Sequence, residues 1–306
     1  MNSEAAVQSD SAPTLELREL VLRAPNASWT APLSLRSEAQ RVALVGDWEP
    51  LFQVLSRRAE LASGSAKSLG CELDSAVFSG ILGFSACDVP LPGAFTVTEY
   101  LEHAARLSHG SASRAVRDAK YALERYGLSA IAKRKLGELA LYLQRALGIA
   151  LATLTTPAVV WLEAPLRGLD APSAEYIARL CHEAAAHARV VLSVERPSSP
   201  SPERTLLDSC DELFVLERGS LVAHGAPSAV FRPLSRYSLR VKGPRISDFC
   251  EALARAGLLL SARAEPGCFQ VELPGSSGEG ADVLLDTALD HGLIVLELEP
   301  LFAVGT

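Results

Sequence analysis

Val159-Val160-Trp161-Leu162-Glu163-Ala164-Pro165 is the stretch on which the fold turns. Four apolar residues in a row, closed by a proline, have the composition of a strand buried on both faces of a parallel sheet. Enzymes that handle phosphate place an acid for Mg2+ at the end of such a strand and a second polar group beside it to position water. Here Glu163 is the acid, and Ala164 beside it has no group to hold or deprotonate a water. Asp170 follows in Gly168-Leu169-Asp170. The stretch therefore raises the question of whether the chain performs such chemistry or keeps only its framework.

Around this strand the chain alternates strand and helix patterns. Residues 15–22 alternate like a half-buried edge strand, with 33–36 as a candidate pairing partner. Arg41 to Gly46 reads as a buried strand ending in glycine, 51–61 as helical, and 63–70 as a turn followed by a strand. The segment from Thr96 to Ala152 is mostly helical. Strand 158–162, helix 173–188, strand 190–194 and strand 213–217 come next, with a Pro/Ser-rich loop at 197–202. Strands separated by helices of this length predict a doubly wound α/β sheet with a helical insertion. Arg232-Pro233-Leu234-Ser235 looks like a domain boundary. Beyond it the order is strand 237–242, helix 247–256, strands 258–264 and 268–273, a Gly/Ser turn, helix 281–291 and strand 293–298. That β-α-β-β-α-β order predicts a ferredoxin-like α+β unit. The expected division is a disordered tail at 1–13, an α/β domain at 14–233 with its helical subdomain at about 88–152, and the ferredoxin-like domain at 236–306.

Composition narrows the function. A net charge of −7 over 306 residues argues against generic nucleic-acid binding. The basic cluster Lys133-Arg134-Lys135 is short and reads as a solvated helix end. The six cysteines (71, 87, 181, 210, 250 and 268) form no CxxC pair, which fits buried reduced thiols in a cytosolic protein. The first ten residues lack the basic start and apolar core of a signal peptide. No uncharged apolar run reaches the roughly 18 residues of a membrane span, so any membrane role is expected to come through a partner. Of the six histidines only His182 and His187 approach ligand spacing, and five apart on a helix they do not share a face well; no metal site is expected.

From Leu15 to Pro227 the ordered landmarks resemble the ATP-binding (nucleotide-binding) subunit of ABC transporters, most of all the subgroup serving exporters and gliding-type systems. Val42 to Gly46 looks like the strand leading into the P-loop, and Ser63 to Gly70 like the strand after the P-loop helix. Phe95 to Leu107 is similar to that subgroup's segment after the Q-loop. Val159 to Asp170 resembles the Walker B and D-loop run, and Ser209 to Gly225 the run after the switch histidine. Tyr237 to Thr306 looks like the subgroup's C-terminal appendage. The resemblance implies an ABC-type, P-loop-like doubly wound sheet with a helical subdomain.

The chemistry-bearing positions read differently. A P-loop needs glycines whose N–H groups cradle phosphates, a Lys for the β/γ charge and a Ser/Thr for Mg2+. After Gly46 this chain reads Asp47-Trp48-Glu49-Pro50, with about four residues missing against the family. Asp47 and Glu49 repel phosphate, Trp48 is bulky, and Pro50 lacks an N–H. Ser63 to Ser68 lacks the glycine before Lys67 and aligns to a strand. The Q-loop glutamine falls near Cys87. The signature loop falls on Leu139 to Gln144, without Gly or Ser, with side chains that look like core filling. Ala164 and Glu195 replace the expected catalytic acid and switch histidine; Glu195 reads as a surface acid, with Arg196 as a candidate partner. Gly46, Glu163 and Asp170 remain as degenerate nucleotide-binding positions. Glu163 fits either weak Mg2+ coordination or a strand-end carboxylate held by a neighbouring N–H or Arg, and Asp170 either an interface-shaping or a turn-forming role.

These losses lead to an expectation of a pseudo-ATPase. It would have no catalytic residues and no cofactor, and would be cytoplasmic or held at the inner face of the membrane by an ABC permease. It would pair with that permease or with a second ABC ATPase subunit as a homo- or heterodimer. The alternatives are a divergent subunit that binds and hydrolyses ATP with Mg2+, and a soluble scaffold unconnected to transport.

Overall fold

The computed structural model describes residues 12–23, 28–88, 90–109, 111–195, 201–217, 219–259, 261–265, 268–274 and 286–304. Residues 1–11 of the expected tail at 1–13, most of the 197–202 loop, the Gly/Ser turn and the first half of helix 281–291 lie outside them, while Ala12 and Pro13 are held by hydrogen bonds from Arg189 and Leu69. By internal contacts the chain divides into Met1–Pro227 and Ser228–Thr306.

In the first unit, β1 (Leu15–Arg23) and β2 (Ser28–Ser37) pair antiparallel, Leu17 opposite Leu35 and Leu20 opposite Leu33. β3 (Arg41–Gly46) then leads into α1 (Glu49–Leu55). This helix starts where Pro50 pre-sets φ in the first turn, and Glu49 suits its N-terminal dipole. β4 (Glu60–Ser68), β5 (Cys71–Glu72), α2 (Leu73–Phe78) and β6 (Leu82–Ser85) follow. Two expectations are corrected here. β1 is not an edge strand, because β4 pairs along its other side and the sheet order is β2-β1-β4-β5. The helix ends at Leu55, and residues 60–68 are strand throughout. Their exposed polar side chains hide the strand signal, and pairing with β1 supplies it instead.

The helical region comprises α3 (Val97–His109), α4 (Ala112–Arg125) and α5 (Leu141–Ala152), with short 3-10 turns between the last two. β7 (Val159–Leu162), α6 (Ala171–Ala185), β8 (Arg189–Val194), α7 (Pro202–Asp208), β9 (Glu212–Glu217) and β10 (Ser220–Gly225) complete the unit. The six-stranded sheet has the order β10-β9-β3-β8-β7-β6. All its pairings are parallel except that of the edge strand β10. β7 is buried at every position, as its apolar run requires, and Trp161 packs 5.5 Å from Phe52 of α1. The parallel strands β3, β6, β7 and β8 end on one edge, where crevices of such sheets take ligands.

In the second unit the expected join at 232–235 falls inside one strand. The sequence runs α8 (Pro227–Val230), β11 (Phe231–Lys242), α9 (Ile246–Arg255), β12 (Ser261–Glu265), β13 (Cys268–Pro274), a helical segment at 286–290 and β14 (Ile294–Val304). The antiparallel sheet order β12-β13-β11-β14 is that of a split β-α-β unit. Leu239, Val241, Phe249, Leu253, Val271, Ala288 and Leu293 form its core.

Candidate functional site

A cleft of about 420 Å3 opens at the C-terminal ends of β3, β7 and β8. It is lined by Gly46, Asp47 and Glu49 on one side, Glu163, Ala164 and Leu166 to Gly168 on the other, and Ser193 to Glu195 with Glu203 at the rim. Five of the lining residues are carboxylates (Asp47, Glu49, Glu163, Glu195 and Glu203), and Arg167 is the one Lys or Arg among them.

On the first side, the link between β3 and α1 is only Asp47 and Trp48. Gly46 sits at φ +97°, where a Cβ would lie 2.1 Å from the Leu216 carbonyl oxygen, so a side chain there is excluded. The link's N–H groups are taken up within the protein. Asp47 N donates to Leu216 O at 3.2 Å and Trp48 N to Gly46 O at 2.8 Å. The Trp48 indole is fully buried. Its Nε1 donates to Val45 O (3.0 Å) and Phe214 O (3.2 Å), and the ring meets Trp29 edge-on at 5.5 Å.

On the second side, Glu163 is 5% exposed at the end of β7. Its Oε2 accepts the Cys87 N–H at 2.9 Å, and its own N–H donates to Ser85 O. Burial raises the carboxyl pKa above its ordinary value, opposed by the Cys87 hydrogen bond and by Arg58 and Arg167. Ala164 is held at φ +37°, its N–H donating to Ser193 Oγ at 2.9 Å. The buried Cys87 thiol donates to Ala164 O at 3.6 Å and is pushed up to about 11, chiefly by burial, so it is not a thiolate near neutral pH.

Across the mouth, Arg167 joins Glu195 and Asp88, and Arg145 of α5 lies 3.5 Å from Asp88. Burial opposes the Arg167 charge, but the Glu195 hydrogen bond and the nearby acids outweigh it and raise its pKa. Glu195 is thus an exposed acid paired with Arg167; its suggested partner Arg196 lies outside the described residues. Asp170 is the N-cap of α6. Its side chain accepts the Ser173 N–H at 2.9 Å, and the hydrogen bonds to Ser173 lower its pKa.

The 139–144 segment departs from the core-filling expectation. Leu139 and Leu143 are buried, but Ala140 and Leu141 are exposed, because the segment straddles the start of α5 and turns alternate side chains outward. His187 pairs with Glu183 rather than His182. Among the described residues no group of three His, Cys, Asp or Glu can hold a metal ion.

Asp88, Arg145 and Arg167 were not singled out from the sequence. Arg167 carried a signal, since an acid at position 195 invites a cation across the sheet edge. Asp88 and Arg145 carried none, as their meeting depends on how α5 packs against the end of β6.

Comparison with known proteins gives the fold. No family model matches the chain. The rat ATP-binding cassette sub-family G member 5 is 28% identical over 179 residues, 56% of this chain. Those residues span 27% of that protein, so the chain covers about a quarter of the curated relative it matches. Among solved structures, an ATP-binding subunit of an ABC transporter aligns with TM-score 0.58 and 18% identity, covering 71% of this chain and 91% of that one. CbiO1 from Clostridium perfringens, part of the ABC transporter complex CbiONQ, aligns with TM-score 0.59 and 17% identity over 72% of this chain and 91% of its own. A nucleotide-free ATP-binding cassette gives 0.58 and 19% over 70% and 91%. The chain has the fold of the ATP-binding cassette, the ATP-binding subunit of ABC transporters.

Proposed function

We propose that this chain is a non-catalytic ABC-type subunit that acts by pairing with an ABC permease or a second ABC ATPase subunit. In this reading it keeps the exporter- and gliding-type framework, with degenerate nucleotide motifs, at the cytoplasmic face of a membrane. The observation that carries the reading is the β3–α1 link. A triphosphate needs free backbone N–H groups and a cation. Here the N–H groups of Asp47 and Trp48 are bonded inside the protein, the Trp48 indole is packed behind the link, and carboxylates face the cleft. The single lining cation, Arg167, is engaged by two acids. Mg2+ finds Glu163, but its carboxylate is buried on a backbone N–H and biased by burial toward the neutral form.

Isothermal titration with Mg·ATP tests this. The expected result is no binding tighter than roughly 0.1 mM, about −5.5 kcal/mol. Tighter binding, or ATP turnover abolished by Glu163→Gln, overturns it in favour of a divergent ATP-hydrolysing subunit.

A further inference from the structure

The α3–α4 hairpin carries a charge and an exposed surface that the nucleotide cleft does not account for. The hairpin itself (97–125) holds five Lys or Arg and four Asp or Glu, a net of +1. The run that follows adds Lys133, Arg134 and Lys135 and brings 97–135 to +4, while the rest of the chain holds 21 and 32, a net of −11. The two helices lie side by side and pack their inner faces (Val97, Leu101 and Ala105; Ala115, Ala119 and Ala122) toward the protein. The outer face of α4 presents Arg114, Arg117 and Lys120 with side chains 56%, 74% and 76% exposed. Their acidic neighbours are at 3.5 Å or beyond: Asp118 from Arg114 (3.5 Å) and Arg117 (3.6 Å), and Glu124 from Lys120 (3.8 Å). The Lys120–Glu124 pair is exposed on both sides and holds its cation weakly, whereas Asp118, 20% exposed, lies between Arg114 and Arg117. Lys133, Arg134 and Lys135 are exposed too. Backbone hydrogen bonds from Val97 to Arg134 and from Thr98 to Ala132 fix that run beside the start of α3.

The same two helices also expose apolar side chains. Leu107 is 77% exposed, Tyr121 58% and Val116 47%. Basic residues with interspersed aliphatic and tyrosine side chains suit an anionic lipid surface. The cations meet lipid phosphates and the apolar groups enter the headgroup layer. A nucleic acid fits less well. Among the described residues Tyr121 is the well-exposed tyrosine of the two helices, Tyr100 and His103 of α3 are packed on the Phe95 ring rather than free for stacking, and the remaining net −11 repels a long polyanion. A flat membrane touches one face only, and screening over about 8 Å confines the attraction to that face.

We infer that the outer face of the α3–α4 hairpin binds anionic membrane lipid directly, without a permease as intermediary. The inference stands whether or not the cleft binds nucleotide.

Co-sedimentation of the full chain with vesicles tests it. The expected result is binding to phosphatidylcholine vesicles containing about a third phosphatidylglycerol, and none to phosphatidylcholine alone. Binding should vanish between about 0.1 M and about 1 M salt as the screening length shrinks from about 10 to about 3 Å. The variant Arg114→Gln/Arg117→Gln/Lys120→Gln alters only exposed side chains. With its melting temperature unchanged, it should bind anionic vesicles at least about tenfold more weakly. Leu107→Ser/Tyr121→Ser should weaken binding without changing its salt dependence. Failure to bind anionic vesicles overturns the inference, as does equal binding by the triple variant. Equal affinity for a short DNA duplex overturns it as well.

Discussion

The two walls of the cleft are built differently. On the β3–α1 wall a two-residue link turns its N–H groups inward and stands on a buried indole, so the wall is continuous with the hydrophobic core. On the β7–α6 wall, Glu163 is a strand-end carboxylate on a backbone N–H, Ala164 keeps a positive φ, and Asp170 caps a helix. The first wall is packing, whereas the second is a polar turn. What separates them is what each residue needs to stay folded. A capping aspartate and a buried carboxylate hold local structure with or without a ligand. A glycine-rich phosphate loop has no such second role, and a shorter loop closed by a tryptophan is an alternative the core accepts.

Substitutions at the two walls put this contrast at risk. Trp48→Ala should have the largest effect, destabilising the protein by about 3–5 kcal/mol in urea or thermal unfolding, as for a buried aromatic in a core. A change under about 1 kcal/mol would mean that the wall is not core. Asp170→Ala should lower stability by about 0.5–2 kcal/mol, less than Trp48→Ala does, and fray the first turn of α6 in hydrogen exchange. Arg167→Met, which releases Asp88 and Glu195, should cost only about 0.2–1 kcal/mol because its partners are exposed. A double-mutant cycle with Glu195→Gln would measure the coupling between the β7–α6 wall and the end of β8.

Glu163→Gln bears on pH. The folded-state pKa of Glu163 is raised above its ordinary 4.5, so the folded protein binds the proton more tightly than the unfolded chain. The stability this contributes is fully present below 4.5 and is lost as pH rises through the folded pKa. Glu163→Gln should remove that decline and leave neutral-pH stability unchanged or higher by under about 1 kcal/mol, because the amide oxygen can still accept from Cys87. A marked loss at neutral pH would show that the ionised carboxylate is needed.

Much of the fold was legible because period and burial agree. The apolar runs at 41–46 and 159–162 admit few readings other than buried strands, and the long amphipathic stretch after Thr96 reads as helix at once. β4 was misplaced because its exposed serines and glycine carry no strand period, and its pairing with β1 is a tertiary fact. In the site, the acids at 47 and 49 were plain in the sequence. The destination of Trp48 was not: that it lies under the link, with Nε1 shared between Val45 and Phe214, depends on β9 lying beside β3. The Arg145–Asp88–Arg167–Glu195 chain was hidden for the same reason, since its members come from four separate parts of the chain.

The melting temperature of the full chain with and without millimolar Mg·ATP tests the proposed loss of nucleotide binding most directly. A ligand that binds only the native state at about a hundred times its Kd stabilises by about 2.7 kcal/mol. A closed phosphate wall predicts no shift. A rise of several degrees would mean that the cleft still holds nucleotide and that the β3–α1 link opens to admit it.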